Sequence, residues 1–220
     1  DNSAWKAFLN LLQRYRRRRP INGVLVAISL QDLMVQTTEQ RVHQAKTIRA
    51  RINDLQQQLG IRFPIYLTFT KCDLVAGFSE FFDNLSQAER EQVWGVSFPE
   101  EAHAGAGAPL DDFGSEFSAL IERLNQRVLW RVHQERNVEK RAVLQGFPAR
   151  MESLHTVLCD FVKQAFSPNR YDSVPMVRGV YFTSGTQEGS PIDRMMASVS
   201  ADFGLERDAA QRFQGVGKSY

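Results

Sequence analysis

The sequence predicts an α/β fold: the C-terminal part of a parallel sheet with a large, mainly helical insert and the start of a helical extension. Three apolar runs, at residues 24–30, 64–70 and 177–183, have the composition of buried strands. A helical pattern separates the first two runs, and this order implies parallel strands with a right-handed crossover. The third run then rejoins the sheet after the insert.

Composition gives no strong case for nucleic-acid binding. The chain has 220 residues, of which 43% are hydrophobic, so it can bury a sizeable core in one domain or two small ones. Lys and Arg number 27 against 25 Asp and Glu, too small an excess for a general attraction to phosphate backbones. One basic block lies at residues 16–19. We interpret it as a solvated helix end favoured by the helix dipole, with an anion-binding or membrane-surface patch as the alternative.

Cysteine, histidine and hydropathy patterns bear on compartment and cofactors. Cys72 and Cys159 are the only cysteines and form no CxxC pair, which is typical of a reducing compartment. The four histidines lack the spacing of metal ligands, so we predict no metal site. No apolar run approaches the ~20 residues that a bilayer-spanning helix needs. The chain starts without Met, and we expect it to be a piece of a longer protein.

The first elements are predicted from their periodicity. An N-terminal helix has an apolar line at 3.6-residue spacing. Its members are Trp5, Phe8, Leu9, Leu12 and Tyr15. After a turn at residues 20–23, the continuous apolar run at 24–30 is typical of a strand that is covered on both faces.

The crossover helix has clear start and stop signals. Thr37 followed by Gln40 is a capping box, and Gly60 is a typical helix stop. The apolar line between them contains Val42, Ala45, Ile48 or Arg49, Ile52, Leu55 and Leu59. The strand at 64–70 follows directly.

The insert is expected to begin with short elements. A helix is predicted around Phe78, Phe81, Phe82 and Leu85. Ser86 and Glu89 have the spacing of a second capping box, whose helix we expect to end at Gly95. A flexible loop follows at residues 101–109.

Two long amphipathic patterns fill the rest of the insert. One starts at Asp111 and continues or restarts toward Gly146 and Pro148, and the other starts near Met151 and ends at Ser167. Their apolar stripes have ordinary amphipathic spacing, so we interpret them as core rather than as a ligand site. The predicted division is a core at 1–77 and 170–200, an insert at 78–169 and the start of a helical extension at 201–220.

The most informative segment is the end of the second strand. The run closes with a Thr-Lys-x-Asp turn, Thr70 to Asp73, of the kind with which GTPase-like domains recognise a guanine base. A carboxylate at Asp73 can accept hydrogen bonds from guanine N1 and the exocyclic amine, while the stem of Lys71 lies over the ring. Adenine presents an acceptor at N1, which would leave a buried carboxylate unpaired at a cost of about 1 to 3 kcal/mol. The alternative is an ordinary loop tether.

A second loop of the same kind follows the third strand. That strand ends in Ser184 and Gly185, and a small residue here lets a backbone amide approach the guanine carbonyl oxygen. Ser190 and Pro191 then suit the N-cap and first position of a helix. Its apolar face carries Ile192, Met195, Met196 and Val199. The predicted nucleotide-binding residues are Thr70, Lys71, Asp73, Ser184 and Gly185, and an ordinary tight turn is the alternative at the second loop.

Three stretches resemble the TssM (IcmF) family of inner-membrane components of bacterial type VI secretion systems: residues 20–33, 64–73 and 178–193. The similarity runs through nearly the whole chain. It implies a piece of the large cytoplasmic region, which carries a GTPase-like fold and is anchored in the inner membrane by segments outside this chain. It also implies partners: TssL and TssJ in the membrane complex, and TssK and TssG in the baseplate.

The phosphate-binding half of a GTPase-like site has no counterpart before Asp73. A P-loop needs G-x-x-x-x-G-K-[ST] between a strand and a helix, and the Mg²⁺-binding Asp-x-x-Gly turn belongs to the same half. In this family both would lie upstream of Asp1. We therefore expect GTP, GDP or ATP with Mg²⁺ only in the complete protein, and neither a cofactor nor catalytic residues in this chain alone.

Gly217, Lys218 and Ser219 match the end of a P-loop and raise the alternative of a circularly permuted GTPase. The first glycine of that pattern would fall at Arg212, and the preceding residues have a helical pattern instead of the required strand. We therefore interpret the match as coincidental.

Two functions are compatible with these features. The first is a scaffold and baseplate-docking module with a GTPase-like fold. The alternative is a nucleotide-switched or NTP-hydrolysing motor domain. Hydrolysis depends on phosphate-binding groups that this sequence does not show, which favours the first.

Overall fold

A computed structural model describes residues 2–16, 20–90, 92–99, 109–167 and 175–184. The strands are β1 (Val24–Ser29), β2 (Pro64–Thr70), β3 (Trp94–Ser97) and β4 (Met176–Phe182). The helices are α1 (Asn2–Tyr15), α2 (Leu30–Val35), α3 (Thr38–Leu59), α4 (Phe78–Phe82), α5 (Gln87–Arg90), α6 (Phe113–Gln134), α7 (Val138–Glu152) and α8 (His155–Phe166). Short 3₁₀ turns occupy Cys72–Leu74 and Pro109–Asp112.

The four strands form one sheet in the order β1-β2-β4-β3. Strands β1, β2 and β4 are parallel, which confirms the prediction from the strand–helix–strand order, and β3 is antiparallel to β4. Ser29 is in register with Thr70, and Phe69 with Phe182. The carboxyl ends of the three parallel strands therefore meet at one edge of the sheet.

One face of the sheet is packed against helices of the insert. Phe69 of β2 makes an edge contact with Phe161 of α8 at 6.5 Å between ring centroids, and Phe182 of β4 lies 5.5 Å from Phe117 of α6. All four rings are buried, and the buried hydrophobic residues of the described ranges form one cluster. The sheet and the insert therefore share a hydrophobic core.

The other face is open in the described part of the chain, so the prediction that β1 is covered on both faces is wrong. Leu25 is 68% exposed and Tyr66 of β2 is 37% exposed, whereas Ile28 and Ile65 are buried. Successive side chains of a strand point to opposite faces, and the helices described here pack on only one of them. An apolar run alone does not distinguish these two cases.

The signals of the crossover helix are confirmed. The Thr37 N–H donates to the Gln40 side chain at 2.9 Å, and the Gln40 N–H donates to the Thr37 hydroxyl at 3.3 Å. Gly60 ends α3 with φ 64°, a left-handed conformation that favours glycine. The apolar line of α1 is only partly right: Leu9 is buried, but Phe8 and Tyr15 are exposed because α1 packs on α3 along a narrow stripe.

The helix predicted to end at Gly95 is wrong. The capping box of Ser86 and Glu89 is present, but α5 ends at Arg90, and Gly95 lies in strand β3. A Cβ at position 95 would lie 2.3 Å from the Val180 carbonyl oxygen, so this glycine permits the close approach of β3 to β4. The pairing joins residues that are far apart in sequence, and local periodicity does not report it.

The boundary predicted near Gly146 and Pro148 is also wrong, because both residues lie inside α7. A proline removes one helical hydrogen bond. Here Arg150 folds back over Gly146 and donates to the Val143 carbonyl at 3.0 Å, within the turn that precedes the proline. Met151 consequently belongs to α7. The break between α7 and α8 comes at Ser153 and Leu154.

The remaining predictions of α4, α6 and the end of α8 at Ser167 are confirmed. In the described ranges, every helix is too short or too polar to cross a bilayer. The predicted loop at 101–109, apart from Pro109, lies outside the described residues, as do the predicted helix after Ser190 and the extension at 201–220.

Candidate functional site

The two loops predicted to bind a base lie side by side at the carboxyl edge of the sheet. The backbone pairing of β2 and β4 continues past the ends of both strands. The Thr183 N–H donates to the Phe69 carbonyl at 2.8 Å, and the Cys72 N–H donates to the Thr183 carbonyl at 3.2 Å. We call Thr70, Lys71, Cys72, Asp73 and Ser184 the loop pair.

Asp73 and Ser184 are in direct contact. The Ser184 hydroxyl donates to Asp73 Oδ1 at 2.7 Å, although the two residues are 111 positions apart. An ionised carboxylate has about four acceptor sites, so one hydrogen bond orients it and leaves acceptor capacity for further donors. The arrangement is compatible with recognition of two N–H donors on a base, and it also serves as a tether between the loops.

Thr70 and Gly185 have different outcomes. The Thr70 hydroxyl donates to the Ile28 carbonyl at 3.3 Å, so it ties the end of β2 to the end of β1. Gly185, the other predicted member of the second loop, lies outside the described residues. Of the five predicted residues, the structure therefore describes four and brings them together at one edge of the sheet.

Lys71 has an unusual backbone conformation. Its φ is 61° and its ψ is 35°, and in the part of the chain that is described it is the one non-glycine residue with positive φ. A left-handed conformation costs a residue with a Cβ roughly 1 to 2 kcal/mol, and such strain is concentrated at functional sites. The observation marks Lys71 as a position where side-chain identity has been kept in spite of strain.

The space beside Lys71 is small. A cavity of about 10 Å³ lies between Lys71, α2 and the turn that joins α7 to α8. Its other lining residues are Leu30, Gln31, Met34, Leu74, Val75, Arg150 and Leu154. This volume is roughly that of one water molecule. A base held by Asp73 would therefore lie on the outer surface of the loop pair and not in this cavity.

Cys72, the unassigned position of the Thr-Lys-x-Asp turn, is an internal anchor of the loop. Its side chain is fully buried, and Sγ donates to the Phe69 carbonyl at 3.3 Å. Burial raises the pKa of this thiol from 9.0 to about 12, with a smaller contribution from the Asp73 charge. The thiol therefore stays protonated at neutral pH, so Cys72 is not a reactive thiolate.

A second candidate region lies at the other end of the molecule's chemistry, on the insert. Leu129 is 68% exposed and Trp130 is 57% exposed near the end of α6, and Val138 is 75% exposed at the start of α7. We call these three residues the hairpin surface. The sequence analysis missed it, because the stripes of α6 were interpreted only as core. The signal was present in the sequence as apolar residues outside the buried stripe.

The hairpin surface is held in place by a buried cation. Arg131 is 6% exposed and donates to the carbonyl oxygens of Phe81 and Glu80, at 3.0 and 2.6 Å, and to Asp83 Oδ1 at 2.7 Å. Lys140 of α7 lies 3.9 Å from the other oxygen of Asp83. These contacts fix the end of α6 and the start of α7 against α4.

Comparison with known proteins gives two matches. The family model of the IcmF-related N-terminal domain matches residues 1–220. The chain is also 48% identical over 220 residues to the type VI secretion system component TssM1 of Pseudomonas aeruginosa PAO1. That alignment covers 100% of this chain and 20% of the relative's length. No solved structure matches.

Proposed function

The chain belongs to the IcmF-related N-terminal domain family, and we propose that it works as a scaffold that docks the baseplate within a component of a type VI secretion system. In this proposal the complete protein is anchored in the inner membrane, and this region lies on the cytoplasmic side. TssL and TssJ are its proposed partners in the membrane complex. TssK and TssG are its proposed partners in the baseplate.

The hairpin surface is the observation that supports the docking role. Exposed tryptophan and leucine side chains are common binding determinants when a partner covers them, and tryptophan is enriched among the residues that contribute most to affinity. The Arg131 contacts hold the helix that carries them in one position, so little order has to be gained on binding. A rigid apolar surface on an otherwise polar helix end suits a scaffold.

Co-purification of the full-length protein with TssK or TssG from cells tests this role. The test variant is Leu129→Ser with Trp130→Ala. The matched control is Val35→Ser, since Val35 is 74% exposed on α2 and lies outside the hairpin surface. We expect the test variant to lose TssK or TssG while the control retains it. Equal recovery of both baseplate proteins with parent and test variant would refute docking through this surface.

A nucleotide-dependent role is the second candidate, and the Ser184–Asp73 contact favours it. The hydroxyl fixes one carboxylate oxygen at the edge of the sheet, where Lys71 keeps a strained backbone. Phosphate-binding groups would have to come from outside this chain, so we propose base recognition by the complete protein and no hydrolysis by this chain alone. The ligand would be GDP or GTP with Mg²⁺, in preference to ATP.

Fluorescence anisotropy of labelled GDP, GTP and ATP against the complete cytoplasmic region tests the second candidate. Asp73→Ala is the test variant and Asp54→Ala is the control, because Asp54 makes only a surface ion pair with Arg51 on α3. We expect guanine nucleotides to bind to the parent and to the control but not to the test variant. An absence of binding, or binding that survives Asp73→Ala, would exclude base recognition by the loop pair.

A further inference from the structure

The open face of the sheet carries an apolar surface that runs across three strands. Leu25 of β1 is in register with Tyr66 of β2, and Ala27 is in register with Thr68, which in turn pairs with Tyr181 of β4. The rings of Tyr66 and Tyr181 are stacked, with centroids 6.4 Å apart and planes 25° apart. Leu25, Ala27 and Tyr66 are exposed in the described part of the chain.

Such a face is unusual for parallel strands. Parallel sheets occur almost only with both faces covered, whereas antiparallel sheets tolerate one solvated face. The strands that carry this surface, β1, β2 and β4, are the parallel ones. Their exposed face is therefore expected to be an interface.

We propose that residues 191–203 of this chain form a helix that covers the open face. The sequence places apolar residues at positions i, i+3, i+4, i+7 and i+11 of this segment. They are Ile192, Met195, Met196, Val199 and Phe203. The positions between them are polar or small, including Asp193, Arg194, Ser198 and Asp202. One apolar stripe of this kind buries its residues against a single surface.

Length and connection suit this occupant. A helix of thirteen residues is about 20 Å long, and the seven residues of β4 extend over roughly 23 Å. Residues 185–190 follow the end of β4 directly and can extend up to about 20 Å, which exceeds the ~10 Å spacing of packed layers. The segment can therefore turn back at the carboxyl edge and run antiparallel to β4 across the open face.

This inference does not depend on the proposed function, but it has a consequence for the loop pair. Ser184 would lie between β4 and the covering helix. Docking of the helix would then fix the second loop from both sides, and loss of docking would loosen the loop that holds Asp73.

Thiol labelling of the 220-residue chain tests the proposal. Ala27→Cys places a thiol on the open face, and Ala119→Cys places one on the exposed side of α6 as the matched control. We expect the thiol at position 27 to react at least ~10-fold more slowly than the one at 119, as a covered site does. Adding Met195→Asp and Met196→Asp should abolish this protection. Ser198→Asp, on the polar side of the segment, should leave it unchanged.

The two buried cysteines, Cys72 and Cys159, report folding in the same experiment, because they stay slow only while the core is intact. Equal rates at positions 27 and 119 in the parent background would overturn the proposal. So would protection that survives the two aspartates while Cys72 and Cys159 remain slow. Protection that depends on protein concentration would show a second copy on this face and would likewise overturn it.

Discussion

The loop pair and the hairpin surface are both fixed by buried contacts, yet they differ in what they leave unsatisfied. In the loop pair the polar groups of Asp73, Ser184 and Thr70 have partners within the chain. On the hairpin surface, Leu129 and Trp130 expose apolar area that nothing described in the chain covers. The loop pair is thus sufficient as a tether between strands, whereas the hairpin surface gains from a partner.

Phe117→Ala should have the largest effect, because it breaks the core that supports both regions. Phe117 is buried and contacts Phe182, the last residue of β4. Truncation of a buried phenylalanine typically costs about 3 to 5 kcal/mol of unfolding free energy. Chemical denaturation measures this, with Ser118→Ala on the exposed side of α6 as a control. Two separate transitions, with the loop pair unaffected, would show that the regions do not share a core.

Arg131→Met should act on the hairpin surface and leave the loop pair intact. The substitution keeps most of the volume but leaves the Phe81 and Glu80 carbonyl oxygens without their donor. We expect a loss of about 2 kcal/mol, within the range for buried acceptors that lose a charged donor. Hydrogen exchange should speed up at the end of α6 and in α4. Uniform acceleration that includes β2 and β4 would contradict a local role.

Cys72 makes the stability of the loop pair depend on alkaline pH. Its pKa is raised to about 12 in the folded protein, so the folded state holds this proton more tightly than the unfolded state does. The contribution is therefore fully present below pH ~9 and falls by up to about 1.4 kcal/mol per pH unit above it. Cys72→Ala should remove this part of the pH dependence. Unfolding curves at pH 8 and pH 10.5 test it, and equal slopes for parent and variant would contradict it.

Lys71→Gly should have the smallest effect on stability and the most informative sign. Glycine adopts positive φ without steric cost, so relief of strain should offset its greater backbone freedom and give a change between zero and about 1 kcal/mol of stabilisation. Denaturant midpoints measure the change. A clear destabilisation would mean that the side chain of Lys71 supports the fold, and would weaken its assignment to a functional role.

The regions also differ in how far sequence predicts them. The loop pair was predictable because strand ends and turn residues are local signals, and parallel pairing then brings Asp73 and Ser184 to one edge. The hairpin surface was not, since its residues flank a stripe that periodicity assigns to the core. Strand β3 was missed because its pairing with β4 is long-range. The helix through Pro148 was missed because Arg150 supplies a contact that no local rule includes.

The affinity of purified TssK and TssG for this chain tests the central claim most directly. The parent is compared with Leu129→Ser, Trp130→Ala and with Asp73→Ala, each checked for an unchanged denaturant midpoint. We predict that the hairpin variant binds at least ~30-fold more weakly, which corresponds to about 2 kcal/mol, and that Asp73→Ala binds like the parent. Parent-like binding by the hairpin variant, or a loss confined to Asp73→Ala, would contradict the account.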